Sequence, residues 1–148
     1  MTNREPTNNR INQVQLPLHA NVGIYRSTST QVHPTPDKIQ VLLIAFAKQL
    51  GWTEDHIIQL AQDKGLQTLF ACIGRDEIKA VLTANETFLF RDAAPAQVND
   101  FTRLCQEHQV LFLTPERIYI FRNPLHALLF HTKSEAWFRF LEEIQANQ

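Results

Sequence analysis

Glycine is scarce in this chain of 148 residues: there are four, at positions 23, 51, 65 and 74, and none lies near another. That excludes the glycine-rich loops whose backbone N–H groups cradle a nucleotide's phosphates, and with them the common nucleotide-dependent enzymes. Cysteine is scarcer still. Cys72 and Cys105 sit in apolar contexts without zinc-ligand spacing, so they read as two reduced, buried thiols and no metal site is expected from them. Long apolar runs are missing too. The longest, residues 41–47, is far too short to cross a bilayer, and the opening MTNREPTNNRINQ has no apolar signal core. No membrane partner and a cytoplasmic location are therefore expected. Neither sign of charge prevails: 14 Lys and Arg against 15 Asp and Glu leave a net charge of −1. The chain as a whole has no electrostatic pull toward nucleic acid, although a local basic patch stays open.

What is abundant is apolar mass. Hydrophobic residues make up 44% of the chain and ten are phenylalanine, enough for one domain with a sizeable core. Residues 1–35 stand apart. They carry Arg4, Arg10 and Arg26 against Glu5, among many Asn, Thr, Ser, Gln and Pro. So little apolar surface cannot offset chain entropy, which predicts a flexible or partner-docking N-terminal arm and a globular domain over 36–148. Within the arm, 14–18 and 22–25 are apolar enough to pair with a sheet edge or to dock on a partner. The Gly23-Ile24-Tyr25 triplet has no matching downstream element of a GIY-YIG nuclease.

Thr35-Pro36-Asp37 reads as a helix start, with a capping residue, proline at the first helical position and an acid at the positive end of the dipole. Ile39, Leu42, Leu43, Phe46 and Leu50 recur at helical spacing up to Gly51; Val41 and Ile44 widen the stripe, predicting burial on more than one side. Thr53-Glu54-Asp55 predicts a second helix closing at Lys64-Gly65. Apolar runs at 68–73, 78–83 and 87–90, separated by turn residues, predict a three-strand meander. Pro95 opens a helix carrying Val98, Phe101, Leu104 and Cys105. Strands follow at 110–113 and 118–121 around Thr114-Pro115-Glu116. Asn123-Pro124 starts a short helix, and Thr132-Lys133-Ser134-Glu135 is a capping box that launches a last one. Strands apolar at consecutive positions bury both faces. The expected architecture is thus a single α/β domain: a central mixed sheet of about five strands flanked by helices.

The acid-x-lysine triplet Glu77-Ile78-Lys79 is the feature nearest to chemistry. The order helix, three strands, helix, strand over 54–113, with 109-QVLFLTPERI-118 as the strand region after the helix, resembles the PD-(D/E)XK nuclease-like superfamily. That resemblance implies Mg²⁺ held by two carboxylates, with a lysine that orients or activates water. Carried over, Asp76 takes the place of the first acid, but the third strand then offers Glu86-Thr87-Phe88, without lysine. Taking Glu77 and Lys79 as the triplet calls on Asp63, in a predicted helix. Neither frame completes the set. Other pairings are weaker. His126 and His131 are five apart and diverge on a helix; Cys105 with His108 is a coincidence of spacing; Ser27, Ser29 and Ser134 lack a nucleophile's surroundings.

Arg75, Lys79, Arg91, Arg117 and Arg122 fall near predicted strand ends and would form a phosphate-binding strip if they converged. Asp76, Glu77, Glu86, Asp92 and Glu116 interleave with them, so a balanced surface is expected. Trp137 and Phe138 beside Arg139 suit a protein interface. The leading expectation is a non-catalytic interaction or accessory protein of a prokaryotic system, without cofactor. It would bind a protein partner, or nucleic acid locally, through Arg75, Arg91, Arg117, Arg122, Trp137, Phe138 and Arg139. The alternative is a metal-dependent nucleic-acid-cleaving enzyme, or a degenerate relative, using Asp76, Glu77 and Lys79 with Mg²⁺.

Overall fold

The computed structural model describes residues 15–26, 36–60 and 66–147. The readings placed on Val14, Ser27, Ser29, Thr35, Asp63, Lys64, Gly65 and the arginines before residue 15 lie outside them. The elements run β1 (Val22–Ile24), α1 (Pro36–Leu50), a single 3-10 turn (Glu54–His56), β2 (Ile57–Gln59), α2 (Gln67–Gly74), β3 (Ala80–Leu82), α3 (Glu86–Arg91), α4 (Pro95–His108), β4 (Leu111–Thr114), β5 (Arg117–Tyr119) and α5 (Pro124–Ala146). As expected, a five-stranded mixed sheet is flanked by helices. Its order is β2-β1-β3-β4-β5. The first four strands are parallel, and β5 returns antiparallel beside β4.

The strands are short and, the edge strand β2 apart, mostly buried, and they alternate between two cores. Val22, Ile24, Ala80, Leu82, Leu113 and Ile118 face one side, where Ile39, Leu43 and Ala47 of α1 cover them together with Trp52 and Phe88. Tyr25, Val81, Phe112 and Tyr119 face the other, under α2, α3, α4 and α5. Phe130 of α5 is the hub of that second core. Its ring centroid lies 5.0 to 5.4 Å from those of Phe90, Phe112, Tyr119 and Phe121, within the range where edge-on contacts are favourable.

Several expectations change. The sheet does not begin after residue 36, and Val22–Ile24 is not an edge: β1 lies between β2 and β3, and Tyr25 is 1% exposed. The run 68–73 is helix α2, because Leu69, Cys72 and Ile73 share one buried face at a spacing a strand cannot present. The run 87–90 is helix α3. Asn85, expected in a turn, instead caps α3 by accepting the Thr87 N–H at 2.9 Å. The helix predicted from Thr53 is one 3-10 turn leading into the edge strand β2. The order of three strands over 54–113 that carried the nuclease resemblance is therefore replaced by strand, helix, strand, two helices and strand. Residues 124–146 are one helix capped by Asn123, whose side chain accepts the Leu125 N–H at 2.9 Å. The capping-box residues lie inside it, where the Ser134 hydroxyl donates back to the His131 carbonyl.

Because β1 is central, Ile24→Ala is expected to lower stability by about 2–4 kcal/mol, seen in urea unfolding as a lower midpoint with an unchanged slope. A chain beginning at residue 36 is expected to lose cooperative unfolding altogether. Native-like near-ultraviolet dichroism from that fragment would contradict the assignment.

Candidate functional site

The acid-x-lysine region sits at the amino ends of the parallel strands, where α2 turns into β3. Asp76 adopts a left-handed backbone (φ 57°), a conformation Asp tolerates because its short side chain bonds locally. Its Oδ1 accepts from Lys79 Nζ at 3.1 Å and from His108 Nδ1 at 3.0 Å. Lys79 Nζ also donates to the His108 carbonyl at 2.9 Å, satisfying an orphan acceptor at the end of α4. Glu77 accepts from Arg75 Nε at 2.8 Å. Hydrogen bonds from His108 and then Lys79 hold the Asp76 carboxyl below its usual range. Arg75, and then the Cys72 thiol, do the same for Glu77. The structure thus brings Asp76, Lys79 and His108 together and pairs Glu77 with Arg75. These charges tie the ends of α2 and α4 to the start of β3.

The arginines divide between two ends of the sheet. Arg75 and Lys79 lie at the amino end, joined by Arg122, which follows the antiparallel β5. Arg91 and Arg117 lie at the carboxyl end. Arg117 Nε and Lys133 Nζ approach Glu86 at 3.9 and 3.8 Å, and the Tyr119 hydroxyl donates to the same carboxylate. Burial, with that bond, pushes the Tyr119 phenol far above its ordinary value. Open parallel sheets bind ligands at their carboxyl ends, beside the point where successive connections diverge. Here that point falls between β1 and β3. The pairing there sets Tyr25, Thr83, Thr114 and Arg117 in one row, polar where the rows below are apolar. Tyr25 donates to Asp92, and Thr114 Oγ1 accepts the Glu116 N–H at 3.2 Å. Thr83 Oγ1 is buried with no partner among the described residues.

Among the described residues, two apolar surfaces stay open besides Leu125 and Leu128 at the start of α5. On the α1 side, Leu42, Phe46 and Leu43 face Ala84, Phe88 and Pro115 across a groove of about 500 Å³. Val41 and Leu42 are 65% and 61% exposed, against the expectation that the wide stripe of α1 is buried on more than one side. The width of that stripe was the available signal; what it omitted was that no second helix among the described residues covers it. On the opposite face, α5 carries Trp137, Phe138 and Arg139 past the last buried residue of the helix, Ser134. The Arg91 guanidinium lies 5.9 Å from the Trp137 ring centroid and 5.5 Å from that of Phe88, joining an arginine and an aromatic that sequence reasoning had singled out separately.

Among the described residues, no helix is long and apolar enough to cross a membrane, and no cluster of three or more His, Cys, Asp or Glu is placed to hold a metal ion. Comparison with protein-family models, curated proteins and solved structures finds no match to the chain.

A folded-state carboxyl held low stabilises above its unfolded value, and the gain is lost as pH falls through the folded value. Asp76→Asn is therefore expected to lower Tm at pH 7. The gap should close below the ordinary Asp value near 3.8, measured by thermal melts across pH; a gap that is constant with pH would remove the ion-pair explanation. Thr83→Val replaces by a methyl a buried hydroxyl without a partner among the described residues and is expected to stabilise by about 1 kcal/mol, read by urea unfolding. A loss of similar size would mean that the hydroxyl has a partner.

Proposed function

We propose that the protein is a non-catalytic interaction module that docks an apolar, helix-shaped segment of a protein partner in the groove along α1. The observation that carries this reading is the half of the α1 face that the described residues leave uncovered. A sheet face is ordinarily sealed by helices packed side by side; here, among the described residues, one 15-residue helix serves that side. The groove beside it is walled by α1 and by the carboxyl-end residues Ala84, Phe88 and Pro115. Between Ile39 and Gln49 it runs about 15 Å, ten residues at the helical rise, the length over which i, i+3, i+4 and i+7 anchors bind. Apolar lining with few polar groups suits burial of a partner's side chains better than recognition of a polar metabolite.

The nuclease reading asks two carboxylates to hold Mg²⁺, and both Asp76 and Glu77 already accept from neighbouring cations. Nucleic-acid binding through the arginines asks for one basic strip, and they are split between the two ends of the sheet.

Leu42→Asp and Ala45→Arg alter exposed positions and are expected to change stability by no more than about 0.5 kcal/mol. Affinity for the partner recovered from the native host should fall by about tenfold or more, measured by calorimetric titration. Undiminished binding in both variants would exclude the groove. DNA cleavage that appears with Mg²⁺ or Mn²⁺ and disappears in Glu77→Gln would replace this reading with the nuclease one.

A further inference from the structure

At the amino end of the sheet, β5 gives way to α5 through residues 120–123. In β4, the Leu111 N–H and the Leu113 carbonyl bond to β3, at the Lys79 carbonyl and the Thr83 N–H. Backbone groups alternate sides along a strand, so Phe112 and Thr114 turn theirs to their β5 partners Tyr119 and Arg117. The N–H groups of Ile118 and Ile120 therefore point outward, at the open edge of the sheet. That of Ile120 is taken by His126 Nδ1 at 3.0 Å. An amide N–H can only donate, so Nδ1 is bare and the imidazole is neutral, with its proton on Nε2. Other bonds close the same junction. The Ile120 carbonyl accepts the Asn123 N–H at 2.8 Å, Asn123 caps the helix, and Gln106 Nε2 of α4 donates to the Phe121 carbonyl at 2.9 Å. Of these, only the bond to His126 can be broken by a proton near neutral pH.

The surroundings of the ring favour its neutral form. Burial, and then the Arg117 guanidinium of β5, push the imidazole below its ordinary value near 6.5. The ring sits in the first turn of α5, where the helix dipole also opposes a positive charge. No carboxylate among the described residues stands against it: Glu86 of α3 is turned to Tyr119, Arg117 and Lys133. The flanking charges of its own segment are Arg122 and Lys133, both cations, and His131 diverges around the helix; α4 meets the junction through the uncharged Gln106. We infer that His126 is an acid-sensitive latch on the outer edge of β5: when Nδ1 takes a proton, the Ile120 N–H loses its acceptor and the junction of β5 with α5 opens, while Phe130 holds the rest of the helix in place. Sheets ordinarily blunt their open edges, so the neutral ring closes an edge that acid uncovers. The folded chain binds this proton more weakly than the unfolded one. The latch therefore contributes fully above 6.5, and its contribution is lost as pH falls through the lower folded value. The groove residues Ala84, Phe88 and Pro115 lie at the other end of the strands, so the latch goes beyond the groove reading and does not depend on it.

The test follows the isotope-labelled full chain by nuclear magnetic resonance from about pH 8 to about pH 5. The Ile120 amide shift is expected to move with the ring signals of His126 in one titration centred below 6.5. Across it, the hydrogen-exchange protection of Ile120, corrected for the intrinsic rate, should fall by about tenfold or more, while Leu113 and Phe130 keep theirs. His126→Asn offers an oxygen acceptor that does not titrate, and should leave the protection of Ile120 independent of pH. His126→Leu has no acceptor, and should show the acid-form protection of Ile120 already at neutral pH. An Ile120 amide that ignores the titration of the ring would overturn the inference. So would a ring that titrates above 6.5, or a pH-dependent protection of Ile120 that survives in both variants. Loss of protection at Leu113 and Phe130 together with Ile120 would also overturn it, because acid would then unfold the whole domain instead of opening one junction.

Discussion

Val22–Ile24 is held on both sides. β1 pairs with β2 through Val22–Ile57 and Ile24–Gln59, and with β3 through Val22–Ala80 and Ile24–Leu82. Lys79 N to the Asn21 carbonyl and Tyr25 N to the Leu82 carbonyl extend the ladder by a residue at each end. Three residues make a poor strand alone, but one that bonds on both edges leaves no polar backbone group unsatisfied. Gly23 is the condition for this. A Cβ there would stand 2.9 Å from Leu60 Cδ1 and 3.2 Å from Ile78 Cδ1, so its absence lets those two side chains close over the strand. The register so fixed places Tyr25 beside Thr83 and aims its hydroxyl at Asp92, just past α3. It also obliges the chain to travel along one face to reach β2 and along the other to reach β3, since parallel neighbours need a crossover. The two cores follow from that.

The layers are unequal because β5 is antiparallel. Pro115 and Glu116 turn the chain straight back, so it leaves β5 at the amino end of the sheet, and α5 packs on the side that α2 and α4 already occupy. The aromatic cluster around Phe130 fixes the first half of α5 there. A 23-residue helix spans about 35 Å, longer than the short strands beneath it, so its end runs past them. One topological choice therefore has two consequences: a single covering helix among the described residues on the α1 side, and surplus helix on the other.

Helices and strands with local signatures were readable from residues alone. Pro95 with Val98, Phe101 and Cys105 marked α4, and Thr114-Pro115-Glu116 marked the β4–β5 hairpin. Elements defined by their neighbours were not. The apolar 22–25 could be seen to suit pairing with a sheet, but its place between two strands rests on partners far along the chain. Leu69-Phe70-Ala71-Cys72-Ile73 reads equally as a buried strand or a buried helix, and the choice rests on what packs against it. The Thr132–Glu135 box has the chemistry of a helix start, but Phe130 and Ser134 hold the same helix to the core across it. At the surfaces, Trp137, Phe138 and Arg139 stood out by composition. The α1 groove did not, because an exposed Leu42 differs from a buried one only in what fails to cover it. Asp76 and Lys79 looked like chemistry because acids and lysines serve both metals and helix ends; the carbonyl of His108, which Lys79 bonds, is a partner invisible in one dimension.

Arg91 stands between the two open surfaces. Phe88 lines the α1 groove, Trp137 stands on the far half of α5, and the same guanidinium lies within 6 Å of both rings. On the reading proposed above, an occupant of the groove that moves Phe88 alters one of the two faces that hold Arg91, and so the seat of Trp137. The magnitude can be bounded. Arg91 is exposed, but Phe88 is 9% exposed and Trp137 half-buried, so each cation–π contact is worth about 0.5–2 kcal/mol, and what passes from one ring to the other through Arg91 is of that order. That is too little for a switch: an occupant of the groove would reset the seat of Trp137 only modestly, through a six-residue helix wedged between the layers.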